Sequence, residues 1–220
     1  MPSTFADSAP LNTVGGVVLA GGGSRRMGRD KAWLHLNGSS MLSRVVSAVQ
    51  EGLGQFNSGA PVPLVVAAAP GQNLPPLPEK VLIVRDPVHG HGPLRGLETG
   101  LAALEGKTRA VYAASCDTPL LSAAFVERVV SLLGEADAAV PVIRGRYHPL
   151  AGAYRTALLP VIRRLLNAGE RRPFSLLKTV QTRTLNEEEL RWADPELQSL
   201  MNINTPDEYE TVLKHLEGRS

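Results

Sequence analysis

The chain begins without pattern: Met1 to about Thr13 shows no period and little bulk, and reads as a flexible N-terminal tail (1–13). Val14 to Ala20 is then a short, apolar, β-branched run halted by Gly21, Gly22 and Gly23, the pattern of a buried strand. Leu42, Val45, Val46 and Val49 recur at helical spacing, which predicts an amphipathic helix from Ser40 to about Leu53. Pro63 to Ala69 predicts a second strand, and the prolines after it (Pro70, Pro75, Pro76, Pro78) exclude regular structure. Val81 to Val84 is a third strand, and Leu94 to Leu104 is helical after Pro93. Ala110 to Ser115 is a fourth strand, and Ser122 is placed to cap a helix running to Leu133. These strands lack polar alternation and are expected to be buried on both faces.

The last third is less regular. Ala138 to Ile143 and Tyr147 to Tyr154 predict strands around a turn at Gly145, an arrangement open to antiparallel pairing. Thr156 to Asn167 reads as a helix, and Asn204-Thr205-Pro206 opens a closing helix to about Leu216. Strands alternating with helices through short Gly/Pro loops imply a parallel sheet with crossover helices. Without internal repeats or low-complexity tracts, a single α/β domain over 14–218 is the economical expectation.

Composition narrows the function classes. The chain has 220 residues, 43% of them hydrophobic and 20% charged, which argues against wholesale disorder. One cysteine, Cys116, excludes an intramolecular disulfide framework and a CxxC metal knuckle, and fits a reducing, cytoplasmic location. No apolar run approaches the roughly 18 residues of a membrane span, and no basic-then-apolar leader opens the chain. A net charge of +2 is too small for a general nucleic-acid binder. The 21 glycines and 17 prolines exceed the roughly 12% of average usage, so their location matters.

Many of those glycines gather after the first strand, in Leu19-Ala20-Gly21-Gly22-Gly23-Ser24-Arg25-Arg26-Met27-Gly28-Arg29-Asp30-Lys31. Such a turn can present successive N–H groups to an anion. The P-loop template fails because Arg29, not lysine, follows Gly28. The dinucleotide fingerprint fails because Arg26 stands where a third glycine is required. Nor does Ser24 sit in a nucleophile elbow. What remains is a net +3 from Arg25 to Lys31, more than the whole chain carries, which suits a polyphosphate.

The string L-A-G-G-x-S-x-R-M-G-x-D-K-A, here Leu19 to Ala32, resembles the signature of molybdenum cofactor guanylyltransferases. Further landmarks of that family recur in order: Asp86 with Gly92-Pro93-Leu94-Arg95-Gly96-Leu97, Cys116-Asp117-Thr118-Pro119, His148-Pro149-Leu150 through Tyr154, and Asn202-Ile203-Asn204-Thr205-Pro206. The resemblance spans about Val14 to Leu213. It implies a Rossmann-like, mostly parallel three-layer sheet of the glycosyltransferase-A type with an antiparallel C-terminal portion. It also implies GMP transfer from GTP to molybdopterin with Mg2+ and release of pyrophosphate.

The resemblance assigns roles residue by residue. Lys31, Arg26 and Asp117 would be catalytic, with Asp117 the metal ligand. Leu19, Ala20, Gly21, Gly22, Gly23, Ser24, Arg25, Lys31, Asp86, Gly92, Pro93 and Asp117 would line the nucleotide. Asn202 and Asn204, with Arg171 and Arg172, would meet the acceptor. A molybdenum-insertion protein and molybdoenzyme chaperones are the implied protein partners. From the residues alone, Asp117 and Asp86 each follow a strand and precede a proline, which equally suits a turn. Asp86 would share the metal or contact the sugar. Asn204 or Thr205 equally suits a helix cap, and Arg171 and Arg172 a solvated basic turn.

One departure stands out: Val66-Ala67-Ala68-Ala69-Pro70 lacks the asparagine this family often supplies near the base or ribose, with Asn73 the nearest substitute. Alternative readings are a relative using CTP or another phosphorylated acceptor, or a catalytically silent nucleotide-binding protein. His89-Gly90-His91 lacks the third soft ligand a zinc site needs. Cys116 reads as a small buried residue, His148 as a strand or loop residue packing near the acceptor pocket, and Trp33 and Trp192 as packing residues.

Overall fold

The computed structural model describes residues 13–21, 30–86 and 92–217; the expected tail up to residue 12 lies outside them. Strand β1 (Val14–Leu19) is the axis of the sheet. Its side chains alternate between two cores: Val14 and Val18 enter one, Val17 and Leu19 the other. A strand buried on both faces has no polar side to show, which is why its sequence is an unbroken apolar run.

Parallel to β1 lie β4 (Leu64–Ala68) on one side and β6 (Ala110–Ser115) on the other. Outside β4, β5 (Val81–Arg85) forms the edge. Beyond β6 comes β9 (Ala151–Arg155), antiparallel to it, then β7 (Ala138–Ile143), antiparallel to β9, then β10 (Thr182–Leu185), parallel to β7. A two-residue strand, β8 (Arg146–Tyr147), folds back on β7 and completes an eight-stranded sheet. The order β5-β4-β1-β6-β9-β7-β10 is the expected mostly parallel sheet with an antiparallel C-terminal portion.

Helices cover both faces. α1 (Met41–Leu53) and α3 (Ala123–Ser131) pack on one, with α6 (Glu187–Arg191). Ser40 and Ser122 cap the first two by accepting from the Ser43 and Phe125 N–H groups. α2 (Gly92–Leu104), α4 (Leu159–Asn167) and α5 (Pro173–Leu177) cover the other. Burying one Val or Leu contributes about 1.5–3 kcal/mol, and both cores are built largely from such residues. A third, small cluster joins a hairpin, β2 (His35–Leu36) and β3 (Ser39–Ser40), to the closing helix α7 (Pro206–Glu217) through Leu36, Met41, Ile203 and Val212. It draws residues 202–204 toward the C-terminal end of the central strands.

Several expectations are corrected. β5 is not buried on both faces: Leu82 and Ile83 are 46% and 43% exposed, because an edge strand has no neighbour to cover it. The predicted strand from Tyr147 to Tyr154 is broken at His148-Pro149-Leu150, where Pro149 has no N–H for the ladder. The helix predicted from Thr156 starts as a 3-10 turn, Thr156–Leu158. β10, α5 and α6 are additional, too short to leave a period in the sequence. Trp192 is 84% exposed and is not a core residue, while Trp33, also exposed, donates its indole N–H to the Asn73 carbonyl at 3.0 Å. Among the described residues no helix is long and apolar enough to cross a membrane.

The closest inter-layer approach is at Gly100 of α2, where any side chain would collide with Val17 of β1. Gly100→Val is expected to lower stability by about 1–3 kcal/mol through overpacking. Urea unfolding measures this; an unchanged midpoint would show that α2 does not sit on β1 at this distance.

Candidate active site

The chain runs from β1 outward to β4 and β5, then returns to place β6 on the other side of β1. At such a reversal the loops after the two central strands diverge and leave a crevice, the usual ligand site of open α/β sheets. Here the crevice is bounded by Leu19-Ala20-Gly21 and Ser115-Cys116-Asp117. Both exits are pinned: the Ala20 N–H donates to the Ala67 carbonyl at 2.9 Å and the Cys116 N–H to Leu19 at 3.0 Å. Cys116 is buried, and that burial, with Asp117 adding to it, pushes its thiol up to about 12. It is packing, not a nucleophile.

The glycine loop is closed at its base by Gln72, a residue without any signal in the sequence. Its amide nitrogen donates to the Ala20 carbonyl at 3.1 Å and to Asp30 Oδ2 at 2.8 Å. Its Oε1 accepts from the Ala69 N–H at 3.0 Å. One side chain therefore joins both ends of the loop to β4. Asn73, the sequence-based substitute for the missing asparagine, is exposed and contributes its backbone carbonyl to Trp33. Asp30 also caps the turn of Lys31–Trp33 by accepting from the Ala32 N–H at 3.1 Å, which directs Lys31 inward.

Lys31 Nζ donates to Asn204 Oδ1 at 2.8 Å and lies 3.7 Å from Asp117 Oδ2. Asn202 Nδ2 reaches Asp117 Oδ1 at 3.5 Å, and the Ile203 N–H donates to the Asp117 carbonyl at 2.8 Å. The N-x-N spacing thus has a structural reason: Ile203 is buried in the small third cluster while the flanking amides both serve the crevice. Asn204 is held in turn by Glu208, whose carboxylate accepts from the N–H groups of Asn204 at 2.6 Å and Thr205 at 3.0 Å. Those bonds, the Asn204 one foremost, keep the Glu208 carboxyl below its usual range. The Lys31 and Asp117 side chains are both only 16% exposed, so the cost of desolvating the two charges offsets much of their attraction and the pair is a weak stability device.

A cavity of about 200 Å³ opens beside Asp117, bounded there by Ser115, Thr118 and Asn202. It extends under the β8–β9 connection to His148, which is half-buried; burial first, and Arg146 second, lower its pKa. Its ring is therefore neutral at neutral pH, one nitrogen donating and the other accepting.

Lys31, Asp117, Asn202 and Asn204 thus come together. Gly22, Gly23, Ser24, Arg25 and Arg26, with His89, Gly90 and His91, lie outside the described residues. Asp86 follows β5, its N–H donating to the Ala68 carbonyl at 3.0 Å. Three strand positions separate β5 from β6, roughly 14 Å at ordinary spacing, so the sheet order sets Asp86 apart from Asp117. Gly92 and Pro93 begin α2. At Gly92, φ is +75° and an added Cβ would sit 2.8 Å from the Arg171 carbonyl. The Arg171 guanidinium donates to the Leu166 and Glu170 carbonyls at the end of α4, and Arg172 is exposed. Neither arginine is among the residues lining the cavity.

The Asp117 donor set suits one hard cation only in part. Among the described residues no group of three or more His, Cys, Asp or Glu side chains is placed to hold a metal. A single carboxylate fits magnesium, which commonly takes one or two carboxylates and completes its shell from phosphates and water.

The model of the MobA-like NTP transferase domain matches residues 16–184. A probable molybdenum cofactor guanylyltransferase of Mycobacterium tuberculosis is 41% identical over 179 residues, covering 80% of this chain and 84% of that one. The chain belongs to the MobA-like NTP transferase family. A probable molybdenum cofactor guanylyltransferase of Mycobacterium avium is 37% identical over 205 residues, 91% of this chain and 94% of its own. The crystal structure of molybdopterin-guanine dinucleotide biosynthesis protein A from Archaeoglobus fulgidus shares the fold, with a TM-score of 0.71 at 22% identity, covering 94% and 99% of the two chains. As a MobA-like NTP transferase the chain is a nucleotidyltransferase, and the crevice beside Asp117 is its candidate active site.

Gln72→Ala leaves the Ala69 N–H, the Ala20 carbonyl and Asp30 without their shared partner. It is expected to lower stability by about 1–3 kcal/mol, whereas Asn73→Ala leaves the urea midpoint where it was. Equal midpoints for the two variants would dispose of the Gln72 clamp. With its thiol pushed up to about 12, Cys116 is expected to resist iodoacetamide at pH 8 in the folded protein and to react after denaturation. Mass spectrometry reads both states, and rapid native labelling would contradict the buried environment.

Proposed function

We propose that the chain is a magnesium-dependent guanylyltransferase that joins GMP from GTP to molybdopterin. The observation that supports this most is the convergence of Lys31, Asp117, Asn202 and Asn204 at the reversal of the sheet. It puts one fixed cation and one hard carboxylate beside an open cavity. The molybdenum cofactor guanylyltransferase names of relatives at 37–41% identity support the choice of substrates.

In this reading a terminal phosphate oxygen of molybdopterin attacks the α-phosphorus of GTP. A new P–O bond forms, the bond to the α,β-bridging oxygen breaks, and that oxygen leaves with the pyrophosphate. No protein side chain needs to form a covalent bond. Lys31, oriented by Asn204, supplies a fixed positive charge where negative charge accumulates on the α-phosphate. Arg26, from the cationic loop, serves the β- and γ-phosphates. The glycine loop presents N–H groups to the phosphates, and Asp86 and the Gly92-Pro93 segment meet the nucleoside. Asp117, aligned by Asn202, would hold magnesium. That ion, when bound, offsets charge on the phosphates. Asn202 faces the cavity and would orient the acceptor phosphate.

Asp117→Ala and Lys31→Ala are expected to keep the fold, read by circular dichroism, and to lose about 10²–10³ in rate of pyrophosphate release. The assay runs GTP, CTP and ATP, with and without molybdopterin. Preference for CTP would overturn the guanylyl assignment. Near wild-type turnover in either variant would overturn the assigned roles.

A further inference from the structure

We propose that the β8–β9 connection, with Tyr147 as its principal contact, recognises the ring end of the acceptor and selects for a flat, nitrogen-bearing heterocycle carried on a phosphate monoester. This rests on the guanylyl transfer proposed above and assigns the acceptor half of the same site.

Position supplies the first argument. The ends of the β1 loop at Gly21 and Asp30, with Gln72 and Asp86, lie on the β1-β4-β5 side of the reversal, whereas the cavity extends from Asp117 toward the β8–β9 connection. Pro93 lines the cavity too, so the nucleoside would adjoin it there. The rest of the cavity is left to the other substrate, whose phosphate must point at Asp117 and whose remainder must meet the far wall. That wall is Arg146, Tyr147, His148 and Pro149, faced by Pro173 at the start of α5.

The second argument is the chemistry of the wall. Tyr112 and Tyr154 are core residues, but Tyr147 and Phe174 are 36% and 38% exposed. Their rings meet edge to face, with centroids 5.1 Å apart and planes at 64°, and Lys178 Nζ lies 4.5 Å from the Phe174 centroid on α5. Tyr147 thus lines the cavity with its ring held from outside by Phe174. A flat ring stacks on such a surface. His148 beside them offers one donor and one acceptor, a match for the alternating N–H and C=O groups of a heterocycle edge. Arg146 adds a cation for an anionic substrate.

Rigidity is the third. The Tyr154 hydroxyl donates to the Pro149 carbonyl at 2.6 Å, and the His148 N–H donates to Pro141 at 2.9 Å. The Ala151 N–H donates to the His148 carbonyl at 3.1 Å. The connection is tied to the sheet on both sides of Pro149, so the wall is built before any ligand arrives.

The test uses the full chain and measures pyrophosphate release with GTP and molybdopterin, together with binding of a phosphate-free pterin followed by its fluorescence. Tyr147→Ala is expected to raise the acceptor KM by about 10- to 100-fold, the range of a lost stacking partner. The GTP KM and kcat at saturating acceptor stay within about threefold, and pterin binding is lost. Tyr147→Phe restores both readouts, because the ring and not the hydroxyl does the recognising. An unchanged acceptor KM and unchanged pterin binding in Tyr147→Ala would overturn the proposal, as would an equal rise in the GTP KM. If the wild-type chain transfers nothing to molybdopterin, the guanylyl reading fails. Pterin binding by the wild type and its loss in Tyr147→Ala would still support the wall, and failure of the wild type to bind the pterin would overturn it.

Discussion

The bond from Lys31 Nζ to Asn204 Oδ1 spans 173 residues of sequence and ties the first loop of the domain to the entrance of its last helix. Neither partner is placed by its own neighbours alone. Lys31 is aimed by the Asp30-capped turn, and Asp30 is held by Gln72 from the loop after β4. Asn204 is aimed by Glu208 at the start of α7, and α7 is seated by Ile203 and Val212 against the β2–β3 hairpin. The hairpin immediately follows Lys31, so the route closes on itself. Charge placement in the crevice is therefore a property of the whole circuit.

This circuit explains why so little of the site's energy belongs to the site. The Lys31–Asp117 approach is 3.7 Å between largely buried groups, where the cost of desolvation offsets much of the attraction. The stabilisation comes from the two apolar cores that clamp β1, and the small third cluster holds the amides in reach of Asp117. At 3.7 Å the two charges stand farther apart than a direct hydrogen bond, and each also meets an amide, Lys31 that of Asn204 and Asp117 that of Asn202.

The legible parts of the sequence were those whose signal is local. β1, β4, β6 and β7 announce themselves because strands buried on both faces are apolar throughout, and the Ser122 cap sits one residue before α3. The loop composition after β1 marked the phosphate side by charge alone. β5 misled because an edge strand can carry the same residues as a central one; only the sheet order reveals that Leu82 and Ile83 face no neighbour. Gln72 was invisible for a different reason. Its importance lies in three backbone and side-chain partners brought together by β1 and β4, and a glutamine in a proline-rich loop has no pattern to distinguish it. Asn73, one residue away, matches the family's asparagine by residue type, but it is exposed and its carbonyl accepts from the Trp33 indole.

The same distinction separates the two halves of the crevice. The proposed nucleotide half is read from a contiguous string, Leu19 to Lys31, which a linear motif captures. The proposed acceptor half is a cavity lined from β6, the β8–β9 connection, the start of α5 and Asn202, which are far apart in the chain. Arg171 and Arg172 looked like acceptor contacts because they are basic and adjacent. Yet the Arg171 carbonyl is occupied by the Leu94 N–H and its guanidinium by the end of α4. The local geometry spends that segment on joining α2 to α5, which ties together the two stretches carrying Pro93 and Pro173, both of which line the cavity. A polar residue outside the cavity can thus shape it by fixing backbone.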